Sequence, residues 1–509
     1  MTGPLPRPVA DEDERLTGAE LRRLTARVRA HNVPTEPGRV VADVGQVAIT
    51  AALVVLYLWG FGAPVRELLA SDASGFGLGH GLIQAMALAL AVAAGAVVAT
   101  RLGPAGLPAA GVRWWLPTSA DRTGLVAPSV VRATLAAVGA GLLAGGAPAL
   151  LVGATVGHVV LDAAFGAAVG LLVVGGAGLL QVSGEASGAT ADGTAGRVLT
   201  LLLAAVPVVG LGVALWAPAW AAWVVPWPVT AVLGLGGAAA VAGWAVRLDR
   251  LRAGELRARA SAAMQASAAL LSLDSGGASR ALLSTGPATS RVLSGVPGLA
   301  RGAVSAVLAA DATLLARSSA ALAGLVAVAA SAAVAVQVPV LGGGIGLWVV
   351  LAGFGYAGAV AGAVGPRAAG ENPRLDALVP LGARGARTVR TLWPAVTAAA
   401  VLLAAVVATG GWAWAGTAAP AAVVLGAAAV RAAYRGPVPW DVPMLATPAG
   451  AVPTGLVLHQ ATGPDLALLG TLPLAVAAVV GTASPTLVAV QTAFAVGAVL
   501  WAGHARRTR

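Results

Sequence analysis

The sequence predicts an all-α, polytopic membrane protein with about twelve transmembrane helices in two six-helix halves. Three observations carry that prediction. Hydrophobic residues make up 58% of the 509 residues and charged residues only 10%, too little polar surface to clothe a soluble globule of this length. The apolar runs are long and continuous rather than alternating, which favours helices over a barrel as the structure that satisfies its backbone in lipid. All 32 basic side chains are arginine, and 31 of them fall in alternate loops, leaving only Arg66 on the opposite side.

A span needs about 20 mostly apolar residues. Those of the first half run from Asp43 to Phe61, Gly81 to Thr100, Ser129 to Val152, Val159 to Leu180, Val198 to Trp216 and Val224 to Val246. The second set is Ala320 to Val338, Gly343 to Val364, Leu392 to Thr409, Trp412 to Ala433, Pro464 to Thr482 and Thr486 to Gly503. The short external hairpins at Trp216 to Trp227 and Thr482 to Thr486 leave open whether the flanking segments cross fully or re-enter. By the positive-inside rule both termini and the central loop are cytoplasmic, in the inner membrane of a bacterium. The domains are then a cytoplasmic segment 1–40 with a surface helix, a first membrane half 41–246, a linker with a second surface helix 247–318, a second half 319–503 and a basic tail 504–509.

No apolar run precedes residue 40, and the first 39 residues carry seven Arg and six acids, so no cleavable signal peptide is expected and the first span serves as the targeting signal. Cysteine is absent, which excludes disulfides, thiol catalysis and Cys-ligated metals. Lysine is absent too. GC-rich codon usage accounts for that bias, but the consequence is chemical: neither a P-loop nor a Schiff-base site can be built. The net charge of +11 is spread over many short loops and reads as topology rather than as a nucleic-acid surface. No His/Glu metal spacing and no paired intramembrane carboxylates support catalysis, so the chain is expected to be no enzyme, with no cofactor of its own. Spacings such as Gly141 with Gly145 and Gly234 with Ala238 suit close helix packing in lipid.

Each half begins alike. In "LTGAELRRLTARVRA", Thr17 and Glu20 form a capping box, and Leu21, Leu24 and Val28 share one face among Arg22, Arg23, Arg27 and Arg29. Such a helix lies at the membrane surface. "RGAVSAVLAADATLLARSS" places Val304, Val307, Leu308 and Leu315 similarly, between Arg301 and Arg317. The linker opens with a helical "RLDRLRAGELRARASAAMQ" before a Ser/Gly-rich middle. After the second span of each half comes a cytoplasmic elbow, "RWWLPTSADRTG" at Arg113 to Gly124 and "ALVPLGARGARTVR" at Ala377 to Arg390. Setting Pro117 over Pro380 puts Ala120 over Ala383, an internal repeat more positional than literal. Among the few intramembrane polar residues, Asp162 lies inside the fourth span and His158 near its outer end; Asp162 is a candidate proton or cation site or a structural carboxylate.

With surface helix, two spans, elbow and four more spans, the chain resembles the membrane subunits of ABC-2 type exporters. The matching residues are "LPTSADR", Leu116 to Arg122, and more loosely "VPLGARGAR", Val379 to Arg387. "RGPVPWDVPMLATPAGAVPTG", Arg435 to Gly455, also resembles a block of an uncharacterised polytopic family of GC-rich bacteria. The exporter resemblance implies two fused permease halves, with a short coupling helix starting at each proline and seated in a separate ATPase subunit, a dimer of which binds the ATP. It also implies that Arg122, Arg384 and Arg387 pair with acidic groups on that partner. The substrate is left open, an amphipathic or lipid-like molecule being one candidate, because Trp216, Trp220, Trp223 and Trp227 cluster at one external turn, where interfacial anchoring is the other reading. The rival resemblance is to major-facilitator secondary carriers, whose loop after span two carries Gly-x-x-x-Asp-Arg-x-Gly-Arg. Asp121, Arg122 and Gly124 match it, but Pro117 and Leu125 break both flanks and the second half has no Asp-Arg pair.

The arginine distribution makes a direct prediction. Reporters fused after Arg280 and at Arg509 are expected to report from the cytoplasm, and an external signal from either removes the twelve-span topology.

Overall fold

The computed structural model describes residues 17–32, 102–151, 155–183, 226–271, 300–372, 376, 379–436, 438–439, 441–447 and 450–504, with scattered positions between 86 and 99 and between 205 and 212. The expected first span lies outside the described residues, as do most of the second and fifth, the linker middle, and Trp216, Trp220 and Trp223.

The N-terminal helix α1 (Gly18–Asn32) starts where its capping box closes. The Thr17 hydroxyl donates to Glu20 at 2.8 Å, and the Glu20 amide donates back at 3.3 Å. A short helix α2 (Ala109–Trp114) and a turn through Pro117 lead into α3 (Arg122–Leu151), and α4 (Val156–Ser183) returns. At 1.5 Å per residue, the 30 residues of α3 reach about 45 Å, well beyond a hydrocarbon core of about 30 Å. Part of it therefore extends beyond the hydrocarbon. Next come α5 (Trp227–Ala245), a 3-10 turn at Leu248–Arg250, and the linker helix α6 (Ala253–Leu271).

The second half opens with α7 (Ala303–Arg317), bent by 79° from α8 (Ser319–Ala335). The bend falls at Ser318, whose hydroxyl caps α8 by accepting from the Ala321 amide. An amphipathic helix thus meets an apolar one nearly at right angles. After a single turn at Pro339–Gly342 follow α9 (Gly344–Gly362), α10 (Val364–Glu371), α11 (Gly382–Val389), α12 (Leu392–Thr409) and α13 (Ala415–Ala433). Strands β1 (Met444–Thr447) and β2 (Gly450–Pro453) pair antiparallel, Met444 opposite Pro453. The chain ends with α14 (Thr454–Ala461), α15 (Pro464–Gly470), α16 (Leu472–Val480) and α17 (Pro485–Gly503).

Seven described helices are long and apolar enough to cross a membrane, or eight if the bent α7–α8 pair forms one span. Their outer faces carry exposed Leu135, Leu143, Val232 and Leu235, which only lipid covers at no cost. The protein is a helical, multi-pass membrane protein. The expectation of an all-α chain needs one correction, the β1–β2 hairpin. Prolines 437, 439, 443, 448 and 453 exclude a continuous helix there, and outside the hydrocarbon the backbone is free to fold otherwise.

Packing follows the small residues. A methyl group on Gly141 would overlap the Gly166 carbonyl, and one on Gly145 the Asp162 carbonyl, so α3 and α4 touch backbone to backbone. On α5 the tight position is Gly237, against Leu171, rather than the expected Gly234. The same pairing recurs in both halves: α3 packs on α4 and α4 on α5, as α12 packs on α13 and α13 on α17. Buried side chains form two separate clusters, one between Ala105 and Leu256 and one between Val336 and Ala502.

The eleventh expected span is broken at Thr471. Pro473 supplies no amide there, and Gln491 of α17 repairs the ladder: its amide donates to the Gly470 carbonyl at 2.8 Å and its oxygen accepts from Leu474 at 3.1 Å. Gln491→Leu leaves both groups unsatisfied in an apolar interior, at about 1–3 kcal/mol each. A clear loss of thermal stability is expected in the purified protein, and an unchanged melting temperature would show that the break needs no such repair.

Candidate functional site at the helix junctions

The elbows lie where the sequence places them, but their geometry differs from a pair of free coupling helices. Pro117 sits exposed in the turn after α2, and the helix that follows it is the long α3 itself, with Arg122 as first residue. Pro380 does precede α11 by two residues. Yet α11 runs on into α12 as one 28-residue stretch, Gly382–Thr409. Both elbows thus lead straight into a long apolar helix. The physical reason is local: Pro128 costs the first helix only one amide without ending it, and a tight turn at Arg390 and Thr391 carries the second onward in the same direction.

An aspartate ties each prolongation to the surface helix of its half. In the first half Asp121 accepts from the Gly18 amide at the start of α1 and from the Gly124 amide of α3. These two hydrogen bonds hold its carboxyl below the usual carboxylate range. In the second half Arg390, at the junction of α11 and α12, donates to Asp311 of α7 at 2.6 Å and to Asp376 at 3.3 Å. The three side chains are almost fully buried, with Asp311 2% exposed. Trp393 adds a hydrogen bond to the Leu308 carbonyl of α7 at 2.9 Å.

Burial acts against charge here. It pushes the Asp311 carboxyl up to about 6, although the Arg390 guanidinium pulls the other way. Nearby, Tyr434 is raised above the usual phenol range by burial, and Arg387 lies over its ring at 4.4 Å. Arg431 pairs with Asp465 at 3.0 Å and lies over Trp501 at 4.0 Å, pinning α13 to α15 and α17.

The arginines predicted to face a partner divide accordingly. Arg122 donates to the Leu251 carbonyl of the linker at 2.9 Å and Arg387 is occupied with Tyr434, so both serve the chain's own packing. Arg384 is exposed. Asp162 is half-buried on the α3–α4 crossing, its carbonyl against Gly145, and His158 meets Thr155 at 2.7 Å. The structure does not bring Asp162 to the elbows. No group of His, Asp and Glu able to hold a metal ion occurs among the described residues.

The sequence reading passed over Asp311, Asp376 and Arg390. A signal was present: Val307, Asp311 and Leu315 are spaced by four, and all three are buried on one face of α7. A carboxylate on the apolar stripe of an amphipathic helix demands a buried partner. Behind it a cavity of about 410 Å³ opens between α7, α10 and Val379–Pro380.

Long apolar helices joined by charged junctions define a multi-pass membrane protein. The comparisons add the particular family. Residues 78–443 match the Family of unknown function (DUF6297), and the chain belongs to that family. The match takes in both elbows and the Asp311 cluster. No curated protein and no solved structure matches the chain.

The shifted carboxyl gives a signed expectation. A folded-state value of about 6 against an ordinary 3.8 means that the neutral form is favoured on folding. The associated stabilisation is complete below pH 4 and is lost as pH rises through 6. Asp311→Asn, which mimics the neutral form, should therefore gain stability relative to the parent between pH 5 and pH 8. Melting curves that run parallel across that range would show that Asp311 does not titrate there.

Proposed function

We propose that this chain is the membrane-spanning permease subunit of an ABC-type exporter, with twelve spans in two fused halves and both termini cytoplasmic in a bacterial inner membrane. It moves an apolar or amphipathic, lipid-like substrate and is driven by a separate pair of ATPase subunits. The observation that carries this is the aspartate tie repeated in the two halves. A partner pressing on the prolongation of α3 or of α12 moves a transmembrane helix directly, and Asp121 or Arg390 with Asp311 makes the surface helix move with it. The recurrent packing of α3–α4–α5 and α12–α13–α17 supports the two-half reading. With no lysine in the chain, the phosphate-binding lysine of a P-loop must come from the partner, so this subunit is no enzyme.

One observation favours the second reading, an ion-coupled carrier of the major-facilitator type. The broken pair α15–α16 resembles the discontinuous helices that line carrier sites. Gln491 fills that break, however, and occupies the backbone groups that a transported ion would need.

The test is co-purification of an ATPase encoded beside the gene. Arg384→Glu is the clean disruption because Arg384 is exposed, whereas Arg122 and Arg387 hold the fold. Association should weaken at least about tenfold, the equivalent of about 1.4 kcal/mol, with membrane insertion intact. Asp162→Asn should leave ATP-dependent transport in place. Absence of any bound ATPase, with transport in ATP-depleted vesicles that follows an ion gradient and fails in Asp162→Asn, replaces the exporter by the carrier.

A further inference from the structure

The cavity beside Arg390 has an unusual combination of walls and floor. Its sides are small and apolar, with Ala306 and Ala310 from α7 facing Gly365 and Ala368 from α10, and its floor presents Asp311 and Arg390. Arg390 is shared between two carboxylates, so Asp311, Asp376 and Arg390 together carry one negative charge more than positive. Arg387 stacks on Tyr434. Asp311 uses Oδ1 for Arg390, while its Oδ2 is buried without a hydrogen-bond partner. A carboxylate oxygen left unpaired in an apolar setting is costly, and it selects for a donor that brings positive charge.

We propose that this cavity binds a small alkylammonium cation, whose N–H donates to Oδ2 of Asp311 while its alkyl body lies against the alanines of α7 and α10. An anion is repelled by the excess carboxylate, and a neutral alkane leaves Oδ2 unsatisfied. The site stands apart from the exporter reading, because it depends on no ATPase and on no transport step. The cavity lies beside a surface helix, so the ammonium has two sources of the same chemistry: a free amine, or the headgroup of an aminophospholipid.

The experiment uses the full-length protein in phosphatidylglycerol nanodiscs at pH 8, with thermal unfolding followed by tryptophan fluorescence. n-Butylammonium chloride is titrated against n-butanol and sodium chloride at matched concentrations. A saturable rise in melting temperature is expected with n-butylammonium alone, since a ligand that binds only the folded state stabilises it by mass action. Asp311→Asn should abolish the shift. Ala310→Leu fills the cavity while keeping the ion pair, and should abolish it equally, which tests the cavity independently of the carboxylate. Discs containing phosphatidylethanolamine separate the sources: loss of the n-butylammonium response there assigns the site to the lipid headgroup, and an unchanged response assigns it to a free amine. An equal shift with n-butanol, no shift with either, or an undiminished shift in Ala310→Leu overturns the proposal. ATPase co-purification is read separately, so failure of one inference leaves the other standing.

Discussion

The backbone's need for hydrogen bonds in hydrocarbon governs the rest of this structure. Inside the bilayer no water completes an interrupted ladder, so the chain crosses as helices and permits a break only where a side chain takes over. Gln491 bridges Gly470 and Leu474 at the break between α15 and α16. Gln181 does the same at the end of α4, donating to the Ala105 carbonyl and accepting from its amide. The β1–β2 hairpin and the Pro117 turn fall instead in segments between the apolar helices.

The same low dielectric decides where charge is allowed. Surfaces between helices are made by Gly141, Gly145 and Gly166, where backbones meet directly and dispersion replaces the hydrophobic effect as the source of association. Several charges at the helix junctions are paired within the chain, Arg390 with Asp311 and Asp376 and Arg431 with Asp465. The buried pair Glu255–Arg259 at 2.6 Å belongs to the linker helix α6, and the Arg259 side chain lies against Gly103, where a methyl group would collide with it. Isolated buried ion pairs contribute little net stability, since desolvation offsets attraction. What they supply here is registry: Arg390 fixes the position of α7 against α12, as Asp121 fixes α1 against α3.

That registry gives the proposed motion its mechanical basis. In the proposed motion, a helix tied to its own amphipathic helix passes a displacement of its first turns on to that helix as well. The linker adds an asymmetry, since Leu251 and α6 cover the first elbow whereas Arg384 stays exposed on the second.

Sequence alone determined the helical membrane class, the positions of the long apolar helices among the described residues and the capping box of Thr17 with Glu20, because these depend on hydropathy over about 20 residues or on contacts within one turn. It also marked the elbows, since prolines and arginines stand out in an apolar chain. Tertiary structure decided what those features touch. That Arg122 reaches Leu251, that Arg387 stacks on Tyr434, and that Asp311, Asp376 and Arg390 meet at all depends on contacts across 14 to 129 positions of sequence, for which a periodic pattern holds no information. The continuity of α11 with α12 is of the same kind. Pro380 looks like the start of a separate helix until the packing of α11 against α17 and α7 holds it in line with the span.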